Sequence, residues 1–183
     1  STFRRLLGSR ILREYSLAVV AAFAMAGMSP SAAAEVPHSL PRPTADAMGK
    51  LLIMHNGRIC PMQTYALDFT RKVYGSSSYE GLSAMQVVTG WMFWGDEWAA
   101  QPFIKTGSHV SNTLMIDRHN AMNRFFNASM GGYILGPYVQ EYYAGQHDKF
   151  HSDAIAVDER IQLIMQLRGG ESLHLFPLTA KGS

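Results

Sequence analysis

Residues 51–75 read LLIMHNGRICPMQTYALDFTRKVYG, and the turn residues in this stretch decide the local architecture. Leu51 to His55 is an apolar, strand-like run. Asn56-Gly57 follows it, and both central positions of a type I′ hairpin turn need positive φ, which Asn and Gly supply at least cost. Arg58 to Cys60 returns antiparallel, and Pro61, which cannot donate to a ladder, ends the pairing. Proline suits a first helical turn, so a helix begins near Pro61 or Met62. Met62, Tyr65, Ala66, Phe69 and Val73 recur on one face at helical spacing. Gly75 stops that helix just past its cap.

Further along the chain, Ser83 with Gln86 three residues on is a capping box. The helix it opens carries Val87, Trp91, Trp94 and Trp98 as one stripe. Pro102 to Thr106 reads as a short strand and Asn112 to Ile116 as another short element. Asp117 reads as the N-cap of a helix to about Asn127. Ser129 to Pro137 (SMGGYILGP) is a turn region, and Pro137 opens a helix to about Gly145. Ser152 or Asp153 caps the longest helix, with Ile155, Val157, Ile161, Ile164, Met165 and Leu167 as its apolar set. Gly169-Gly170 ends it, and Ser172 to Phe176 is a last strand. No internal repeat is present. The expected class is α+β, mostly helical, with a small antiparallel hairpin or sheet.

Before residue 49 the chain changes character. Arg4, Arg5, Arg10 and Arg13 precede the small-apolar run LAVVAAFAMAGM at Leu17–Met28, and Ala32-Ala33-Ala34 precedes Glu35. A basic region, a short apolar core and an A-x-A site make a secretory signal. Twelve apolar residues fall short of the roughly 20 that span a bilayer, although counting on to Ala34 reaches marginal length. Two readings stand: a cleaved signal peptide, or a retained membrane-anchoring helix, which its presence in the chain favours. Both export the rest and leave the arginines cytoplasmic. A buried helix of a soluble protein explains the arginines and alanines less well. Residues 35–48, with three prolines in VPHSLPRPTADAM, read as a linker. The expected organisation is 1–34 signal-like or membrane segment, 35–48 linker, 49–178 extracytoplasmic domain and 179–183 tail.

The whole chain has 183 residues, 47% of them hydrophobic and only 16% charged, against about 25% charged in soluble domains. Eleven methionines and nine phenylalanines add to a surface expected to be partly covered by a partner or a membrane. The net charge of +2 gives no nucleic-acid footprint. A single cysteine excludes an internal disulfide and any cysteine-cluster metal site.

Several residue groups have the composition of a site. Trp91, Trp94 and Trp98 offer a platform for a flat aromatic ligand such as haem, weighed against the commoner outcome of aromatic stripes, core packing. His147 and His151 stand four apart, a spacing that on a helix puts two imidazoles on one face for a metal; solvated histidines near a helix end are the plainer reading. His55, His109, His119 and His174 are scattered, and His or Met is the standard axial ligand of haem. Cys60, just after the hairpin and at a helix start, has the setting of a lowered-pKa thiol, against that of a small buried hydrophobe. No G-x-S-x-G, P-loop, G-x-G-x-x-G or H-E-x-x-H signature occurs, so catalysis by this chain alone is not expected. A hydrolase using His147 and His151 ranks last among the functional readings.

Three segments together resemble a known family. NGRICPMQT at 56–64, DFTRKVYG at 68–75 and YEGLSAMQVVTGWMF at 79–93 look like the extracytoplasmic segment of ResB/CcsA-type (system II) cytochrome c biogenesis proteins, in the fused form of Bacteroidetes-like bacteria. The ending DERIQLIMQLRGGESLHLFPL is similar to that family's last helix and strand before its next membrane region. The resemblance covers most of 51–178 and makes Asn56, Gly57 and Arg58 motif residues. It implies a place in an envelope assembly that moves haem across the membrane and attaches it to apocytochrome c, with the folded domain on the periplasmic side. It favours a retained membrane segment at the N-terminus. It implies haem in the wider assembly rather than in this chain, because the tryptophan-rich WWD segment and the haem-ligating histidines beside membrane helices are not in this sequence. Membrane, neighbouring subunits and apocytochrome c are the implied partners. The alternative is a structural subunit of a larger membrane complex, using the aromatic stripe as a partner interface with no haem role.

Overall fold

The hairpin and its helix form as the turn chemistry requires. In the computed structural model, which describes residues 35–127, 132–171 and 174–175, β1 (Leu52–His55) pairs antiparallel with β2 (Arg58–Pro61). Asn56 and Gly57 sit at φ 51° and 72°, the left-handed pair that a type I′ turn needs. Helix α2 (Met62–Val73) follows from Pro61. Met62, Tyr65, Ala66, Phe69, Thr70 and Val73 are its buried face, and Gly75 leaves it at φ 99°.

The expected linker is corrected at its second half. Arg42–Met48 is a helix, α1, with Pro43 in its first turn and Ala45 fully buried. It packs on α2 and α3 (Ala84–Phe93). Proline in a first turn costs nothing, because its missing N–H would have no partner there. Seven residues with one buried position leave no periodicity to read. Packing therefore starts at Pro37, which is buried, and not at Gly49. By contacts the chain divides into residues 1–35 and 36–183, and residues 1–34, including the signal-like run, lie outside the described residues. Among the described residues no helix is long and apolar enough to cross a membrane.

Helix α3 is the centre of the fold. Ala84 through Trp91 are buried without a break, as in a helix covered on all sides. Its capping box is complete: the Gln86 N–H donates to Ser83 Oγ and the Ser83 N–H to Gln86 Oε1. Helices α1, α2, α4 (Gly95–Trp98) and α7 (Lys149–Arg168) surround it. Trp94, at φ −128° and ψ 40°, breaks the tryptophan stripe between α3 and α4.

Three short pairs of strands complete the fold: β3 (Ser78–Tyr79) with β4 (Leu82–Ser83), β5 (Ile104–Lys105) with β6 (His119–Asn120), and β7 (Phe126–Asn127) with β8 (Gly132–Tyr133). Helix α5 (Ser108–Leu114) lies between β5 and β6. The helix expected from Asp117 to Asn127 is absent. Instead, β6 is followed by a 3₁₀ turn at Met122–Phe125 and then β7. Asn120 accounts for the difference, since its buried amide donates to Thr106 Oγ1 and to the Asp117 carbonyl and so ties the segment to β5. Most of the expected turn at 129–137 lies outside the described residues.

Helix α6 (Gly136–Tyr143) begins around Pro137 as expected. Helix α7 starts four residues earlier than expected, because Asp148 and not Ser152 or Asp153 is its N-cap. Its buried face is His151, Ala154, Val157, Ile161, Ile164 and Leu167. Ile155 is half-buried and Met165 exposed, which corrects the expected apolar set: both stand off the stripe of Ala154, Val157, Ile161 and Ile164. The last strand, β9 (His174–Leu175), pairs with β1, giving the order β2-β1-β9. The class is mixed α and β, mostly helical, with small antiparallel sheets.

Candidate functional site

Alternation along the hairpin gives its sheet two unlike faces. Ile53 and His55 of β1, with Cys60 and Arg58 opposite them in register, share the face on which Ile53 is fully buried. Leu52, Met54, Ile59 and Pro61 share the other face, where Leu52 and Ile59 are exposed.

On the inner face, His55, Asn56, Tyr65, Asp68, Phe69, Lys72 and Leu163 line a cavity of about 300 Å³. The loop tip supplies Asn56, the helix supplies Asp68 and Lys72 one turn apart, and α7 supplies Leu163 as a floor. His55 Nε2 lies 3.3 Å from Asp68 Oδ2 and 3.2 Å from Asn56 Nδ2. One ring nitrogen cannot donate to the carboxylate and accept from the amide at once, so His55 has two exclusive hydrogen-bonding states. The Tyr65 ring meets His55 edge-on at 5.2 Å. Lys72 Nζ sits 3.4 Å from Glu159 Oε2. The lining offers an acid, a base and a cation but no serine, threonine or cysteine nucleophile.

The tryptophans lie elsewhere. Trp91 and Trp98 are fully buried, and Phe103 is the hub between them, with ring centroids 5.8 and 5.7 Å away. Phe69, Tyr74 and Tyr79 pack on the same Phe103 ring. Burial pushes the Tyr79 phenol up to about 12, helped by Glu80 and Tyr74. Trp91 and Trp98 thus present no face to a ligand. The half-buried Trp94 stacks with His38 at 6.2 Å. Sequence reasoning did not single out Phe103, because one aromatic after a proline carries no periodic signal.

His38 was missed too. Its N–H donates to Glu97 Oε1 at 2.7 Å, its Nδ1 lies 2.8 Å from Glu97 Oε2, and its carbonyl accepts from Trp98 Nε1 at 2.8 Å. The backbone bond from His38, followed by its side-chain bond, holds the Glu97 carboxyl below its usual range.

His147 and His151 do not share a helix face. His147 precedes the Asp148 cap and stands edge-on to Tyr142 at 4.5 Å. His151 lies within α7, buried, with Nδ1 2.8 Å from Asp148 Oδ1 and Nε2 2.9 Å from Glu141 Oε2. The Glu141 and Asp148 bonds raise the His151 pKa, and the His151 bonds in turn lower that of Asp148. Both imidazole nitrogens are therefore committed to carboxylates. Among the described residues no group of three or more His, Cys, Asp or Glu is arranged for a metal ion. Of the scattered histidines, His119 donates from Nε2 to the Tyr74 carbonyl at the end of α2. The His109 backbone N–H donates to Asp153, and His174 pairs with Met54 in the sheet. Cys60 is a free, half-buried thiol within β2 and not at the helix start. Arg58 is exposed beside the turn.

No protein-family model matches the chain. It is 28% identical over 137 residues to Protein NrfI of Wolinella succinogenes, an overlap of 71% of this chain and 15% of that protein. The chain thus spans a small part of the relative's length. The ResB/CcsA-type kinship stays a resemblance.

Proposed function

We infer that the chain is an extracytoplasmic part of a cytochrome c biogenesis assembly and that it acts there in holding apocytochrome or as a scaffold. The observation that carries this is the convergence of the motif residues. Asn56 from the first motif and Asp68, Phe69 and Lys72 from the second line one cavity, although the first and last stand sixteen positions apart. The similarity to Protein NrfI supports the same process. The reading places the folded part on the periplasmic side, anchored or exported by residues 1–34, with haem carried by the wider assembly. The cavity suits one side chain of an extended polypeptide, and Asp68 and Lys72 would select a polar or charged one.

A test is to titrate the full chain with a CxxCH peptide of an apocytochrome and, separately, with haem. Saturable peptide binding that weakens in Asp68→Asn is the expected result, with or without a Soret change. Absence of peptide binding together with no haem response would remove the apocytochrome and haem versions.

A second reading, a structural subunit of a membrane complex, is favoured by the open apolar sheet face at Leu52 and Ile59. It loses its original interface, since Trp91 and Trp98 are buried. A stable co-purifying partner and no peptide binding would select it.

A further inference from the structure

A second cavity lies away from the motif residues. It has a volume of about 490 Å³ and is lined by Leu114, Ile116, Arg124, Tyr133, Ile134, Pro137 and Tyr138. Four elements converge on it: the end of α5, the 3₁₀ turn, β8 and the start of α6. A cavity of this size with an apolar lining and few polar groups is typical of small-molecule sites. Among the described residues Arg124 is the only charged one in the lining, and it forms no ion pair with any of them.

The walls are fixed by contacts behind them. The Tyr133 phenol donates to Asp158 Oδ1 at 2.6 Å, and burial followed by that bond pushes its pKa far up. The Asp158 carboxylate is thereby engaged by the phenol. Tyr133 also stacks on Phe126 at 5.1 Å, and Tyr138 stands edge-on to Phe150 at 4.9 Å. Met115, between two lining residues, is held at φ 53° and is 89% exposed. The left-handed region is costly for a non-glycine residue. Here it ends α5 and, with the Ile116 N–H donating to the Ser111 carbonyl, turns Leu114 and Ile116 into the same cavity.

We propose that this cavity binds a small amphiphilic carboxylate, with the carboxylate on Arg124 and the apolar body between Leu114, Ile116, Ile134 and the two tyrosine rings. The guanidinium fork matches a carboxylate with two parallel hydrogen bonds. A doubly charged phosphate is disfavoured, because among the described residues no second cation lines the cavity to balance it. The site is independent of the motif cavity and of the biogenesis reading.

The test uses the full chain, with octanoate as probe and octanol as its uncharged match, followed by calorimetry. Octanoate should bind saturably, and Arg124→Gln should weaken it at least about tenfold, the loss of one charged hydrogen-bonded pair. Arg124→Lys, which keeps the charge but loses the two-pronged fork, should bind more weakly than wild type and more tightly than Arg124→Gln. Ile134→Trp, which fills the cavity, should abolish binding while circular dichroism stays unchanged. Equal octanoate binding by wild type and Arg124→Gln would overturn the proposal, as would octanol binding as tight as octanoate. No saturable binding up to about 10 mM, well above the range of a useful small-ligand site, would overturn it too.

Discussion

His151 Nε2 lies 2.9 Å from Glu141 Oε2, joining the first turn of α7 to the far end of α6. Its Nδ1 is 2.8 Å from Asp148. With a carboxylate at each nitrogen, the ring is stabilised as an imidazolium that donates twice, and its pKa is raised from the ordinary 6.5. The stability this gives is full below about pH 6.5 and is lost as pH rises through the raised folded-state value. Asp148, lowered from 3.8, works the other way: its share is present above pH 3.8 and is lost as pH falls through the lowered value. The pair is therefore at full strength between those two ordinary values. Thermal midpoints measured against pH should fall on the neutral-to-alkaline side in wild type. His151→Gln should flatten that limb, and an identical limb in the variant would assign it to other groups.

Gly90 and Trp98 define a second relationship. A Cβ at Gly90 would overlap the Trp98 indole, and both the ring and its helix are backed by buried residues. Gly90→Ala gains helix propensity of about 1 kcal/mol, but overpacking of a full core costs typically 1–3 kcal/mol. A net loss of up to about 2 kcal/mol is expected in urea unfolding. A stabilised variant would show that the indole moves aside freely.

The capping box of α3 can be tested alone. Ser83→Ala removes the oxygen that accepts the Gln86 N–H and should cost about 1 kcal/mol. Adding Gln86→Ala should cost less than the sum of the two single changes, since the two bonds form one reciprocal unit. Full additivity would mean that they act separately.

The stretch entering the fold is pinned at His38. Glu97→Gln removes the charge that His38 faces through both its N–H and its ring. Amide hydrogen exchange at residues 36–41 should quicken, while α3 amides stay protected. Unchanged exchange there would show that the Trp98 bond to the His38 carbonyl suffices.

How far the sequence could be read follows the range of the interactions. The hairpin, α2 and the start of α3 depend on turn and cap residues within a few positions of each other, and they form as expected. Helix α1 escaped notice because a seven-residue helix with prolines at 41 and 43 shows no pattern. The segment after Asp117 has good local helix signals that lose to a buried Asn120 bonded to Thr106, a partner 14 positions away. The motif cavity was half legible, since Asn56 and Asp68 stood out, whereas its floor, Leu163, comes from a helix about a hundred residues on. Spacing alone could not show that Asp148 begins α7 and so separates His147 from His151.

The most direct measurement is the amount of covalently haem-bearing c-type cytochrome in native cells carrying Asp68→Asn with Lys72→Gln, at unchanged chain abundance. If these residues hold a partner in cytochrome c biogenesis, haem-stained cytochrome should fall by about fivefold or more, the effect of losing roughly 1 kcal/mol of binding. Wild-type levels of haem-bearing cytochrome in that double variant would contradict the role assigned to the cavity.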